Sequence, residues 1–380
     1  MKVSIDKRPI WLLFILKYKV FFILTITFIL FFILTNYKPQ GLTVSGYRVV
    51  LVTILCGFLW GTNIIPPAIT GLLVIALIPL LNILPPKKTF SLFGNEPVFF
   101  ILSALIIAIA MDKSKLSQRI TLYFLLLGGD SEIKLAFSIY LLAGALSFFI
   151  PEHSVAALLF PIVKEITQVI GIKKGSSKLG KLLFLSLAWG AIIGGIATFM
   201  GGARNALAIG LLEEIGGVRI EFLEWIKYSL PLVLYLFTIG FLVLVVFFKP
   251  EKTKIIKAQI ELQKRLAKLP PFTFKELLVA TIVIGTVIGW IVVGHHGVGL
   301  AAIALISAIL FLVLRIIDWK DAERELNWGI IFMYGGAITL GSAFSQTDAS
   351  KMFLSIIDNF ENLTVFKIAF ISGVLSLALT

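Results

Sequence analysis

Two short interruptions of apolar sequence hold the residues best suited to chemistry. In "LSFFIPEHSVAALLFPI" (146–162), Pro151, Glu152 and His153 stand between two apolar arms, with Ser147 just upstream. In "WGAIIGGIATFMGGARNALAIG" (189–210), Thr198 precedes the pair Gly201-Gly202, and Arg204 and Asn205 follow it. Pro151 has no amide proton and biases Ile150 away from helix, so it frees backbone carbonyls. Those carbonyls, the Glu152 carboxylate and the hydroxyls of Ser147 and Ser154 are hard oxygen ligands. They suit an alkali cation or a transferable proton. The residues after Pro151 begin a helix whose first amides and dipole favour an anion. Arg204 can hold a carboxylate or sulfate through two parallel hydrogen bonds, or it can serve as the ion-pair partner of Glu152. Glycine pairs let the backbone open and let another element approach; by themselves they also signify tight helix packing.

The elements that position these residues must be membrane helices. Of the 380 residues, 58% are hydrophobic and only 14% charged. Mean hydropathy is +1.00, and a soluble domain of this length needs far more polar surface. Apolar runs of bilayer-spanning length recur at 17–35, 45–63, 67–84, 97–111, 181–214 (broken), 227–248, 275–293, 298–315 and 328–346. The fold class is therefore an all-α polytopic membrane protein. An ionisable group within such a segment is unfavourable unless it is paired or faces a polar cavity, and broken helices are tolerated where they line one. The segment 133–171 reads either as a re-entrant hairpin with its tip near the midplane or as one spanning helix kinked at proline.

The net charge of +13 fits basic cytoplasmic loops, with no nucleic acid called for. With the N-terminus inside, most of the 34 Lys and Arg residues fall on the cytoplasmic side; the expected location is a plasma (inner) membrane. The richest stretch is 249–275, with eight basic residues, read as an amphipathic surface helix. Cys56 is the only cysteine, so an intrachain disulfide is excluded. His295 and His296 read as interfacial residues, and "GGDS" at 128–131 as a turn. No HExxH, Walker A or GxSxG motif occurs, so neither hydrolysis nor nucleotide coupling is indicated, no cofactor is called for, and an enzyme is not expected.

An internal repeat follows from hydropathy and placement. The stretch 96–114 resembles 327–345, and five crossings separate corresponding elements if 133–171 re-enters, so the copies are inverted. The tip matching Pro151 falls beyond Thr380, so the second hairpin is expected to be truncated before its tip. The expected organisation is scaffold helices over 1–128 and a transport domain over 129–248. A basic linker occupies 249–274, second-repeat scaffold helices 275–361, and the first arm of the second hairpin 362–380.

At this point the chain resembles a family, the divalent-anion:sodium symporters, carriers of dicarboxylates, citrate or sulfate. "GLTVSGYRVVLVTILCGFLWGTNIIPPAITGLLVIALIPLLNIL", "GGIATFMGGARNALA" and "WGIIFMYGGAITLGSAF" carry the resemblance. It implies two inverted repeats with re-entrant hairpins and broken helices, a homodimer in the lipid bilayer, and alternating access by a moving domain. In the family the hairpin tips carry a Ser-Asn-Thr motif that binds sodium and the substrate carboxylate. Pro151, Glu152 and His153 occupy that place here, while Ser147 keeps a preceding serine. Gly201 and Asn205 match the unwound loop, whereas Gly202 and Arg204 replace a small hydroxyl residue and a proline. The expected activity is symport of a small dianion such as a C4-dicarboxylate, coupled to sodium or to protons. Ser147, Pro151, Glu152, His153, Thr198, Gly201, Gly202, Arg204 and Asn205 form the expected ion and substrate site, with sodium at Ser147, Glu152 and Gly201. A sodium/proton or oxyanion exchanger is the related alternative. A non-transporting membrane scaffold is the alternative of another class, and it leaves Glu152 and Arg204 without a role.

Overall fold

The computed structural model describes residues 18–37, 41–129, 131–172, 177–250, 255–292 and 299–350. The histidine pair 295–296 and the expected hairpin arm 362–380 lie outside the described residues. Among the described residues the regular structure is entirely helical. From the N-terminus come α1 (Lys19–Thr35), α2 (Val44–Thr62), α3 (Pro67–Leu80) and α4 (Pro86–Phe93). The sequence continues with α5 (Glu96–Lys113), α6 (Leu116–Leu126), α7 (Glu132–Leu146), α8 (Glu152–Val169), α9 (Lys178–Gly195) and α10 (Ala203–Gly216). Next are α11 (Phe222–Phe247), α12 (Ile256–Lys268), α13 (Phe274–Val292), α14 (Leu300–Val313), α15 (Trp319–Glu325) and α16 (Trp328–Ser345).

Among the described residues six stretches are long and apolar enough to cross a membrane: Val44–Thr62, Pro86–Lys113, Lys178–Gly195, Phe222–Phe247, Phe274–Val292 and Trp328–Ser345. The expected spans at 67–84 and 298–315 form shorter helices, each of 14 residues. At 1.5 Å per residue that length is about 21 Å, less than a bilayer core. Pro79 sits in the last turn of α3, and Asn82 and Arg315 take left-handed backbone just past the two helix ends, with φ of 53° at both. These local stops cut helices that hydropathy alone would extend. At α11 the reverse holds. A capping box between Glu221 and Glu224 starts the helix at Phe222, five residues before the apolar run expected from 227.

The helices fall into two compact units, Met1–Gly94 with Trp328–Thr380, and Asn95–Asn327. In the first, α16 lies against α3, where Gly336 faces the backbone of Gly71 and Gly71 faces the carbonyl of Phe332. Such small-residue contacts let membrane helices approach closely. Val49, Val52, Leu55, Cys56 and Leu59 of α2 fill the core beside Val74 and Ile78 of α3.

The second unit holds both interruptions. Gly190 and Gly194 of α9 abut the backbones of Tyr140 and Gly144 of α7, a rising register that makes α7 and α9 parallel. On α8 the register runs the other way. Gly195 lies against Glu152, and Phe184 faces Phe160 with ring centroids 5.4 Å apart. Helix α8 is therefore antiparallel to α9, and the chain reverses between α7 and α8. Residues 133–171 are a helical hairpin, and the kinked single helix is set aside.

The basic linker is also docked. Ala258 and Leu262 of α12 are buried against α6 and α8. Gln259 Nε2 donates to the Gly129 carbonyl at 2.5 Å, and Arg265 pairs with Glu165. One apolar face of this amphipathic helix is thus covered by protein, while Ile256 and Ile260 stay exposed. Just beyond it, Arg119 Nε donates to Glu276 Oε1 at 2.8 Å and Arg119 Nη2 to the Pro270 carbonyl at 2.6 Å. Glu276 is almost fully buried, and the Thr273 amide also donates to it at 2.7 Å.

Candidate functional site

The hairpin tip is built from ordinary helix-end chemistry. Helix α7 ends at Leu146, and the Ser147 amide still donates to Ala143 at 3.1 Å. Phe149 and Ile150 amides both return to the Leu146 carbonyl at 3.0 Å. Pro151 then takes extended backbone (φ −52°, ψ 135°) as the N-cap of α8. Its carbonyl accepts from Ser154 and Val155 at 2.8 and 3.1 Å. Glu152 opens α8, where the first-turn amides lack intrahelical partners and the dipole favours a carboxylate.

The second break, 196–202, separates α9 from α10 and lies directly against that tip. The Glu152 amide donates to the Gly201 carbonyl at 2.9 Å. Thr198 Oγ1 donates to the Phe148 carbonyl at 2.7 Å and accepts from the Gly201 amide at 3.3 Å. Asn205 Nδ2 reaches back to the carbonyls of Gly195 and Thr198 at 2.7 and 2.8 Å. Two glycines make this approach possible. A Cβ at Gly201 would overlap the Ser147 carbonyl and Gly195, and one at Gly195 would stand 2.7 Å from Glu152 Oε2. Gly202 is the buried N-cap of α10, in extended conformation.

Arg204 Nη2 donates to Glu152 Oε2 across the two breaks. The carboxylate partner is buried, with 8% of its side chain exposed, against 49% for Arg204. The guanidinium thus bridges a dry carboxylate and an open face. Charge-assisted bonds of this kind are among the stronger ones in proteins. Leaving Glu152 without its partner would cost roughly 2–4 kcal/mol, since a buried charge would stand uncompensated.

Of the nine residues expected in the site, Ser147, Pro151, Glu152, Thr198, Gly201, Gly202 and Asn205 are buried around the junction of the breaks, and Arg204 reaches into it from the open side. Ser147 Oγ is buried with no hydrogen-bond partner among the described residues. His153 differs. Its side chain is 70% exposed, and Nδ1 stands 3.7 Å from Glu152 Oε1, at the edge of the site. Two residues escaped the sequence reading. Trp225 Nε1 donates to the Ile196 carbonyl at 2.9 Å, and Ser229 Oγ to the Ala197 carbonyl at 3.1 Å. They sit four apart on α11, one face of a helix whose remaining residues are mostly apolar. That spacing, next to a break rich in free carbonyls, was the available signal. Phe199 is enclosed by the rings of Phe100, Phe222 and Trp225, which hold the break from its apolar side.

A polytopic helical protein whose two breaks meet over a buried carboxylate and its arginine partner has the build of a secondary membrane transporter. The pattern of the sodium:sulfate symporter transmembrane region matches residues 17–378. The chain belongs to that family, the divalent-anion:sodium symporters, and is a transporter and not an enzyme. The sodium-dependent dicarboxylate transporter SdcS of Staphylococcus aureus strain USA300 is 30% identical over 350 residues, covering 85% of this chain and 67% of its own length. The SdcS proteins of strains NCTC 8325 and COL match with the same identity and coverage.

Proposed function

We propose that this protein carries a small divalent anion, such as a C4-dicarboxylate, into the cell by symport with sodium, through alternating access. The observation that carries this reading is the junction of the two breaks, where a buried carboxylate and a half-exposed guanidinium are held together. The family membership and the name of the SdcS relatives, sodium-dependent dicarboxylate transporters, support sodium as the coupling ion and a dicarboxylate as cargo. A proton carried by Glu152 is the close variant.

In this reading Glu152 is the coupling carboxylate, and Ser147 and Gly201 lend it oxygen ligands. Arg204 faces the anion, and Asn205 holds the break that carries it. The part that moves is 129–248, with 1–128 and 275–361 as scaffold and 249–274 as the linker between inverted repeats. The carrier works as a homodimer in the plasma membrane with a cytoplasmic N-terminus.

Proteoliposomes test the proposal directly. Labelled succinate or sulfate should accumulate when an inward sodium gradient is imposed, and a proton gradient alone should drive less. Equal accumulation with and without both gradients would remove coupled symport. An antiport signal in inverted vesicles would point instead to an exchanger.

A further inference from the structure

Several backbone oxygens at the junction already accept a hydrogen bond from the chain itself, each keeping one lone pair. Asn205 Nδ2 takes the Gly195 and Thr198 carbonyls at 2.7 and 2.8 Å. The Glu152 amide takes Gly201 at 2.9 Å. Thr198 Oγ1 takes Phe148 at 2.7 Å, and Trp225 and Ser229 take Ile196 and Ala197. The remaining acceptor with a full charge is the Glu152 carboxylate, and Arg204 occupies it. One further oxygen of the hairpin tip, the buried hydroxyl of Ser147, has no partner among the described residues.

From this arrangement we infer that Arg204 is a tethered, displaceable counter-cation. It neutralises Glu152 while the carrier is empty, turns to the anion when one arrives, and so opens the carboxylate to an inorganic cation. The inference rests on the symport reading for the identity of the anion, and on geometry alone for the tethered charge.

Several features of the pair make the exchange workable. The guanidinium lies at the open side, with half its side chain exposed, whereas the carboxylate is buried. Turning a flexible arginine about its own bonds leaves α10 and its amide anchor Asn205 in place. His153 cannot take over, because its Nδ1 is 3.7 Å from the other carboxylate oxygen and the ring faces outward. An anion that draws Arg204 away leaves a bare carboxylate in a dry site, which is unfavourable. Binding of the anion is therefore favourable only if a cation replaces the guanidinium. By reciprocity, the anion and the cation must raise one another's affinity by the same factor. A single bonded pair then enforces coupling.

The test is binding of labelled sodium to the purified protein in detergent, against a choline background. Without anion, Arg204→Ala should bind sodium more tightly than the wild type, by a factor on the order of ten. The added Glu152→Gln change should abolish that gain, and millimolar methylguanidinium should compete with sodium in Arg204→Ala alone. Arg204→Gln, which keeps the length and drops the charge, carries the same prediction if the alanine variant does not fold. Succinate should tighten sodium binding in the wild type and leave it unchanged in either Arg204 variant. Equal sodium binding by wild type and both Arg204 variants would overturn the inference, as would a gain that survives Glu152→Gln. Coupled uptake by a wild type whose Arg204 variants gain no sodium would sink this inference and keep the symport reading. A sodium gain in a protein that moves no anion would do the opposite.

Discussion

Glu152 and Arg204 lie 52 residues apart in sequence, on different breaks, and are joined by a charge-assisted hydrogen bond. The same glutamate is tied a second time through its backbone, whose amide donates to Gly201 at 2.9 Å. The carboxylate and the two breaks are thus one mechanical unit, and disturbing either connection should be felt at the other.

Removing the charge of Glu152 should separate anion movement from the cation gradient. In Glu152→Gln, succinate uptake should lose its dependence on sodium while some anion binding remains through Arg204. Uptake coupled as in the wild type would exclude Glu152 as the coupling group. The experiment is an uptake series across imposed sodium gradients.

Glycine replacements should divide sharply by position. A methyl at Gly201 meets the Ser147 carbonyl and Gly195, both backbone, so neither can give way easily. Gly201→Ala should lower stability by about 1–3 kcal/mol and separate the breaks. Gly285, on α13, has nothing near its added methyl. Gly285→Ala should be neutral or stabilising by up to about 1 kcal/mol, because alanine favours helix. Thermal melts of the two variants in one detergent give the comparison.

The pair Arg119–Glu276 should matter for stability and not for the cation site. Glu276 is nearly fully buried and is held by Arg119 and by the Thr273 amide. Arg119→Ala leaves that charge uncompensated and should cost about 3 kcal/mol. A lower melting temperature with unchanged sodium affinity is the expected pair of results. A changed affinity with an unchanged melt would reverse the assignment.

Acid should loosen α15. Hydrogen bonds from Lys113 hold the carboxyls of Asp321 and Glu325 below their usual range. Groups with depressed values stabilise the fold above the ordinary carboxylate pKa and lose that contribution as pH falls through their folded-state values. Amide exchange in Trp319–Glu325, corrected for its intrinsic rate, should therefore rise as pH drops below about 4. In Lys113→Ala that rise should be weaker, since the depression is gone at the outset.

Much of this architecture was legible in the chain because its signals are local. Apolar run length marks membrane helices, and a proline or a glycine pair marks where a helix must stop. A charge within apolar sequence marks a place that needs a partner. These three signals located both breaks and placed Glu152 and Arg204 in them. Hydropathy overran at 67–84 and 298–315, where α3 stops soon after Pro79 and α14 stops before the left-handed turn at Arg315.

Tertiary structure decided which of the open alternatives holds. Sequence left Arg204 free to pair with Glu152 or to face an anion, and left 133–171 as a hairpin or a kinked helix. The opposite registers of α7 and α8 on α9 made it a hairpin, and that reversal brought Glu152 to the guanidinium. Trp225 and Ser229 gained their place as donors to the second break only because α11 packs beside it. The physical reason is range. Helix formation and termination depend on neighbours within a turn or two. An ion pair across fifty residues depends on how closely two backbones can approach, and here Gly195 and Gly201 set that distance.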